Sequence, residues 1–461
     1  MKKTLILIFI LSFCAMAQEE ARGVQKDSSV VKIVEKNFFL TVVSWPLVYI
    51  VQPTVEFLMY PLIPPLIYIS RENLIEKGQN LITYGENKQI MFYPLINAKL
   101  GNAANIGFAY WHSDLFLKDD NLFFSPHLYI NADRDAALRY IKKNILGSSF
   151  YWGASANYNA FGDNGFRDLK GISYTFADSS ISFNQYVGFG LYGNWGLGFG
   201  LGLNLYRFDF PSKNDSIREG DEVFNRGFYR NFNGYPLSVT LGYSSLDEPY
   251  AATRGSKFSL GYTYTSISRY NGSRDHNYHA VESRLVHYSL LGNKSYAMTV
   301  AESNANYEKL KNLSFAEAIE MLNPINIKEE DVLDRRILVT QIKVRNVIEV
   351  NEGKAPFIAM GRHGGNFPLR AYADGYIAAP LIAGVSAEYR WPIDRFADAL
   401  IFNEYGIFGK DFSRLDTENL RNSYGFGFRI RTPRFFIARF TVAFHGLQGV
   451  TLIFTTRPEY N

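Results

Sequence analysis

Between Gly196 and Arg207, Leu197, Phe199, Leu201, Leu203 and Leu205 alternate with Gly198, Gly200, Gly202, Asn204 and Tyr206. A period of two puts every leucine on one face of an extended strand. The same split recurs where Phe258, Leu260, Tyr262 and Tyr264 oppose Lys257, Ser259, Gly261 and Thr263. Near the end, Phe426, Phe428 and Ile430 oppose Gly425, Gly427 and Arg429, and Phe436, Phe440, Val442 and Phe444 oppose Ile437, Arg439 and Thr441. The glycines follow the strand period, not the G-x-G-x-x-G spacing of a dinucleotide loop before a helix. Arginines fall on the face away from the apolar row.

Read this way, the chain predicts strands near 104–116, 121–131, 135–145, 149–159, 170–178, 182–192, 196–208, 235–245, 256–266, 279–291, 380–391, 397–408, 421–431, 434–445 and 449–457. One more belongs between 295 and 350, where 295–306 and 337–350 compete. Either choice gives about 16 strands, the even number a closed antiparallel barrel requires. Ser314-Phe315-Ala316-Glu317 reads as a capping box opening a short helix in a surface loop. The polar span 211–234 is a second long surface loop, and Gly193-Asn194 and Thr432-Pro433 are short periplasmic turns. The expected fold is all-β: a transmembrane antiparallel barrel with an inward-folded surface loop and a short N-terminal helical segment. A soluble β-sandwich would also alternate, but would not set aromatics along the outward face of ten-residue strands.

Composition supports the barrel. Hydrophobic residues make up 47% and aromatics 16%, with 31 Tyr and 37 Phe, while the mean hydropathy of −0.12 is too low for a bundle of lipid-spanning helices. Lys2 and Lys3, the apolar run Thr4–Phe13 and Ala15-Met16-Ala17 form a signal peptide over 1–17, with a mature chain from Gln18. The bulky Phe13 before Cys14 argues against a lipidated N-terminus. Losing the two lysines lowers the formal charge from +4 to +2, too little to imply nucleic acid. Cys14 is the one cysteine, so the mature chain has neither disulfides nor thiolate metal ligands.

Residues 18–103 form an apolar and amphipathic N-terminal segment, periplasmic or interfacial, ahead of a barrel over 104–461. Asn37–Ile69 is almost wholly apolar but broken by Pro46, Pro53, Pro61, Pro64 and Pro65. That spacing defeats a continuous spanning helix and suits short kinked helices in the inner leaflet or at the periplasmic mouth. Arg71–Leu81 reads as an amphipathic stretch leading to the first strand.

One arginine and two carboxylates are the candidate site. Arg370 lies in the loop run Gly364-Gly365-Asn366-Phe367-Pro368-Leu369-Arg370-Ala371-Tyr372, and Glu388 and Glu404 lie on the next two strands. Strict alternation places both carboxylates on an inward face with Ser386, Arg390, Phe402 and Gly406. A loop folded into the lumen must be held, and a guanidinium offers a rigid fork that engages carboxylates at two points.

The order of these pieces resembles the signatures of BamA/TamA-type barrels, the bacterial surface antigen family. The pieces are Asp247-Glu248-Pro249-Tyr250-Ala251-Ala252-Thr253-Arg254-Gly255, then Gly364-Gly365 with Leu369-Arg370-Ala371-Tyr372, then Glu388, then Phe402-x-Glu404-x-Gly406. The resemblance covers about residues 100 to 461. Ala371 stands where the family usually has glycine, and Glu404 where it usually has Asp. Ala371 is expected to cost backbone freedom. Family members carry periplasmic POTRA modules, whose pattern is absent here, so the chain reads as a relative without them. The resemblance implies an outer-membrane location, and insertion or translocation of other proteins through a weak seam between the first and last strands. The short last strand, bounded by Gly446 and Gly449 and followed by Arg457 and Pro458, suits such a seam. Expected partners are outer-membrane lipids, other assembly components and client proteins.

Competing classes are a passive pore, a lipid-handling barrel and a membrane enzyme. No serine, histidine and carboxylate converge in sequence, and Gly242-Tyr243-Ser244-Ser245-Leu246 lacks the second glycine of a nucleophile elbow. The expectation is a protein with no catalytic residues, no cofactor and no metal, lacking both a two-histidine zinc helix and an acidic calcium loop.

Overall fold

The computed structural model describes residues 54, 68, 74–85, 89–99, 104–167, 173–191, 193–209, 231–247, 252–269, 277–291, 336–350, 355–365, 368–373, 375–394, 397–431, 436–446 and 449–456. The expected signal peptide, the proline-broken apolar run (Thr54 and Tyr68 apart), the helix at 314–317, strand 295–306 and nearly all of the 211–234 loop lie outside them.

The alternating rows become a closed ring of sixteen antiparallel strands. In chain order these are β1 (Ile90–Lys99), β2 (Asn105–Ser113), β3 (Asp120–Tyr129), β4 (Arg134–Lys142), β5 (Phe150–Arg167), β6 (Ser173–Gly190), β7 (Trp195–Asp209) and β8 (Asn231–Ser244). There follow β9 (Gly255–Arg269), β10 (Tyr278–Leu290), β11 (Ile337–Glu349), β12 (Leu381–Asp394), β13 (Ala397–Gly409), β14 (Leu420–Arg431), β15 (Phe436–Phe444) and β16 (Val450–Thr455). Each strand pairs with its sequence neighbour, and β16 returns to β1. Outward rows such as Phe199, Leu201, Leu237, Leu260 and Tyr262 stay exposed, whereas Arg429, Arg439 and Thr441 are buried on the inner face. A ring with an apolar outside and every strand paired is the form in which β-structure crosses a bilayer. Rings of Phe116, Tyr140 and Trp152 pack side by side near one rim, as an interfacial girdle does.

The expected strand number survives through two offsetting differences. The ring begins at Ile90, inside the region assigned to the N-terminal segment, so the boundary at 103/104 falls after the first strand. Segments 170–178 and 182–192 are one strand, the 18-residue β6, paired along its length with β5. Asp178, Ser179 and Ser180 imitate a turn in the sequence but here continue the ladder. Of the two rivals, 337–350 supplies the membrane strand β11.

Leu290 and Ile337 face each other at the end of their ladder, and the turn between Gly190 and Trp195 lies at the same end of the barrel. The chain between β10 and β11 thus leaves from the same rim as that short turn, because successive strands run in opposite directions and every connection from an even to an odd strand falls there. Helix α1 (Leu74–Ile82) precedes the ring and realises the amphipathic stretch expected at 71–81.

Candidate functional site

The β11–β12 connection turns into the lumen. Phe357 and Met360 near its start and Ala378 near its end are buried against Phe208 of β7, Phe232 of β8 and Ile267 of β9. Gly361–His363 pairs with Ile377–Ala379 as an inner hairpin, and Ile377 also bridges the backbone of Arg167 at the end of β5. Gly364 has φ +106°, and a Cβ there would lie 2.0 Å from the Ala373 carbonyl oxygen, so glycine is required.

At the loop tip the expected charges meet. The Arg370 backbone N–H donates to Glu404 Oε2 at 2.8 Å and its Nε to Glu404 Oε1 at 2.5 Å. Arg370 Nη1 donates to Glu388 Oε2 at 2.8 Å. Both carboxylates are 0% exposed and Arg370 is 7% exposed. The guanidinium lies over the Phe402 ring, 3.7 Å from its centroid, which adds a cation–π contact in a desolvated site.

Glu388 serves more cations than expected. Arg390 Nε donates to Oε1 at 2.6 Å and Arg439 Nη2 to Oε2 at 3.0 Å, so one carboxylate on β12 joins the loop, its own strand and β15. A second cluster was not anticipated: Asp398 accepts from Arg429 Nε at 3.0 Å and from Arg431 Nε and Nη2 at 2.6 and 2.9 Å. The inward arginines were legible as a row, but which acid each would reach depends on register between strands.

The remaining motif residues have distinct duties. Leu369 is fully buried with φ +74°, and its side chain sits where Gly406 leaves room: a Cβ on Gly406 would stand 2.9 Å from Leu369 Cδ1. Ala371 is not in the left-handed region, so the glycine usual there is not needed, and the strained residue is Leu369. Ala371 N–H donates to Ser423 Oγ on β14 at 3.0 Å, and its carbonyl accepts from Thr451 Oγ1 on β16 at 2.8 Å. The tip therefore touches the strand that closes the ring. The Tyr372 ring packs at a tilt against Tyr376 and against His445, each pair 4.9 Å between centroids. Gly365 N–H donates to the Tyr372 carbonyl at 3.0 Å. In the β8–β9 turn, Asp247 accepts from the Thr253 and Arg254 backbones at 2.9 and 3.3 Å, which ties together the two ends of the motif that precedes β9.

At the seam, among the described residues, Asn97, Ala98 and Lys99 of β1 pair with Thr455, Phe454 and Ile453 of β16, and Thr456 N–H donates to the Ile96 carbonyl at 3.0 Å. Gly446 and Gly449 stand just ahead of the last strand, in the turn from β15 to β16. There Gly446 has φ +63° and a Cβ on Gly449 would strike the His445 ring. They shape the entry to the last strand.

Fold and site define a transmembrane β-barrel of the bacterial outer-membrane type, with a surface loop locked in its lumen by buried ion pairs. No protein-family model matches the sequence, and no curated protein does. Among solved structures the chain is similar to BamA from Haemophilus ducreyi lacking POTRA domains 1–3, with a TM-score of 0.55 and 14% identity over 80% of this chain and 69% of that one. CdiB from Acinetobacter baumannii is a further neighbour, at 11% identity and a TM-score of 0.49, over 80% of this chain and 59% of that one. The barrel thus has the fold of BamA, in agreement with the resemblance carried by the motifs.

Proposed function

We propose that this barrel assists the insertion or assembly of other proteins at the outer membrane, working through the seam between β1 and β16. The observation that carries the reading is the placing of the locked loop tip against β16, the strand that closes the ring on β1. A strand edge freed at that closure accepts an extended chain by strand addition. The locked loop supports the reading, because Thr451 on β16 hydrogen-bonds the loop tip while Arg370 holds that tip to β12 and β13. The last strand is thus braced from inside the lumen. A steady pore suits this lumen less well, since the buried tip crosses it.

The test is depletion of the protein in its native host, followed by a census of outer-membrane proteins. The expected result is loss of a subset of barrels or surface proteins. Unchanged levels of all of them would overturn the proposal.

A further inference from the structure

One turn folds back over the outside of the barrel. The connections β2–β3 (114–119) and β4–β5 (143–149) each lead from an even to an odd strand, so both lie at the rim of the turn between Gly190 and Trp195. On β4, Tyr140 and Lys142 share a face with the exposed Leu138, which is the lipid-facing wall. Asp120 of β3 pairs with Lys142 and so stands on that same wall, yet it is fully buried. What covers it is the β2–β3 turn. Asp120 Oδ1 accepts from Leu115 N–H at 2.7 Å, and Oδ2 accepts from Phe116 and Leu117 N–H at 3.0 and 2.9 Å and from the Tyr140 hydroxyl at 3.0 Å. The carboxylate thereby holds the turn over the outer wall. There the Phe116 ring packs 6.0 Å from Tyr140, which lies 5.8 Å from Trp152.

The β4–β5 turn is tied to this one. Lys143 N–H donates to the Asp119 carbonyl at 3.0 Å, and Lys142 Nζ donates to the carbonyl of Lys118 and, at 2.8 Å, to that of Lys143. The two turns thus form one platform. It presents Phe116, Leu117 and Leu146 at 70%, 56% and 100% exposure. Leu146 is also left-handed, with φ 55° and ψ 31°, a region that Asn144 and Asp114 tolerate but in which a leucine is strained. A strained leucine held wholly outside the protein gains nothing from protein packing, so its gain comes from what surrounds the tip. Of the platform's acids, Asp120 and Asp114 accept from backbone N–H groups and Asp119 is partly buried, whereas Lys118 and Lys143 are exposed.

We infer that this platform is a lipid-binding foot: Phe116, Leu117 and Leu146 enter the interfacial layer of the phospholipid leaflet at their rim, and the ammonium groups of Lys118 and Lys143 meet its phosphates. Lipid is the occupant by continuity, because the outward wall on which Phe116 packs already faces the bilayer. Charge agrees with it. A lysine lays its apolar stem along the acyl boundary and carries its ammonium to the headgroups, beside apolar neighbours that stay below them. The foot stands on β2 to β5, next to the seam strand β1, and sets the height of that side of the ring in the bilayer. Neither contact depends on a client protein.

The experiment uses the full-length protein carrying Cys14→Ser, reconstituted in phosphatidylcholine vesicles, with single nitroxide labels introduced through Phe116→Cys, Leu117→Cys or Leu146→Cys. Leu201→Cys on the outward wall and Thr417→Cys in the exposed β13–β14 turn supply the lipid and water references. Molecular oxygen concentrates in lipid, and a charged nickel chelate stays in water. At 116, 117 and 146 the ratio of oxygen to nickel collision should be several times that at 417, approaching the value at 201. Ratios equal to that at 417 would overturn the inference, and would be the result if a protein partner were the true occupant. Lys118→Glu with Lys143→Glu should raise nickel access at 146 severalfold, whereas Lys118→Arg with Lys143→Arg should leave it unchanged. Indifference to the charge reversal would overturn the role given to the lysines. Heat-modifiability reports that each variant has folded, and the labels at 117 and 146 suffice where loss of the Phe116 ring disturbs the turn.

Discussion

Arg370 meets Glu404 twice, once through its backbone N–H and once through its side-chain Nε, so that a single carboxylate fixes both the path of the loop and the direction of its guanidinium. Replacing either partner leaves the other charged and buried. Arg370→Ala should therefore cost about 3–5 kcal/mol. Glu404→Gln should cost less, because the amide oxygen can still accept one of the two bonds. Heat-modifiability of the folded barrel in a double-mutant cycle checks this, and additive losses would show that the residues are uncoupled.

Gly406→Ala tests the packing beneath that pair. Its Cβ would press on Leu369, which is fully buried and cannot swing away, so the loop tip should loosen by about 1–3 kcal/mol. Limited proteolysis of the loop in intact vesicles should become faster. Leu369→Gly would relieve about 1–2 kcal/mol of left-handed strain but lose a fully buried side chain worth about 2–5 kcal/mol. It should also loosen the tip.

Asp398→Asn should destabilise the barrel more than Arg429→Gln. The first substitution strips two buried arginines of their shared acid, and the second removes only one donor from a carboxylate that keeps Arg431. The midpoint of thermal unfolding in detergent ranks the two, and the reverse order would refute the shared-acid arrangement.

Loop docking should weaken on acidification. His363 stands in the inner hairpin, outside the spanning strands, and desolvation holds its ring down to about 4 from an ordinary 6.5, against the opposing effect of backbone acceptors at Ile407 and Ala383. Between those values the undocked loop binds a proton that the docked loop refuses, so docking is fully favoured above pH 6.5 and loses ground as the pH falls toward 4. Loop cleavage by a protease active across this range should rise over that interval, and His363→Gln should flatten the rise.

Alternation along each segment determined which faces meet lipid, because a strand's two faces are set by neighbours two residues apart. Leu197 to Leu205 and the inward Arg429 and Arg439 needed no other information, and motif order was enough to bring Arg370, Glu388 and Glu404 together. The first strand is hidden from a period-two reading because Pro94 stands in its middle, and β6 divides in two because Asp178, Ser179 and Ser180 look like a turn. Both are settled by ladders with partners far along the chain.

Only the closed ring decided that Glu388 would bind Arg390 and Arg439 as well as Arg370, that Asp398 would gather Arg429 and Arg431, and that the left-handed residue would be Leu369 and not residue 371. Those outcomes depend on inter-strand register and on how a loop fills a lumen. A period-two pattern leaves both quantities open, since sliding one strand past another by two residues preserves every face and changes every partner.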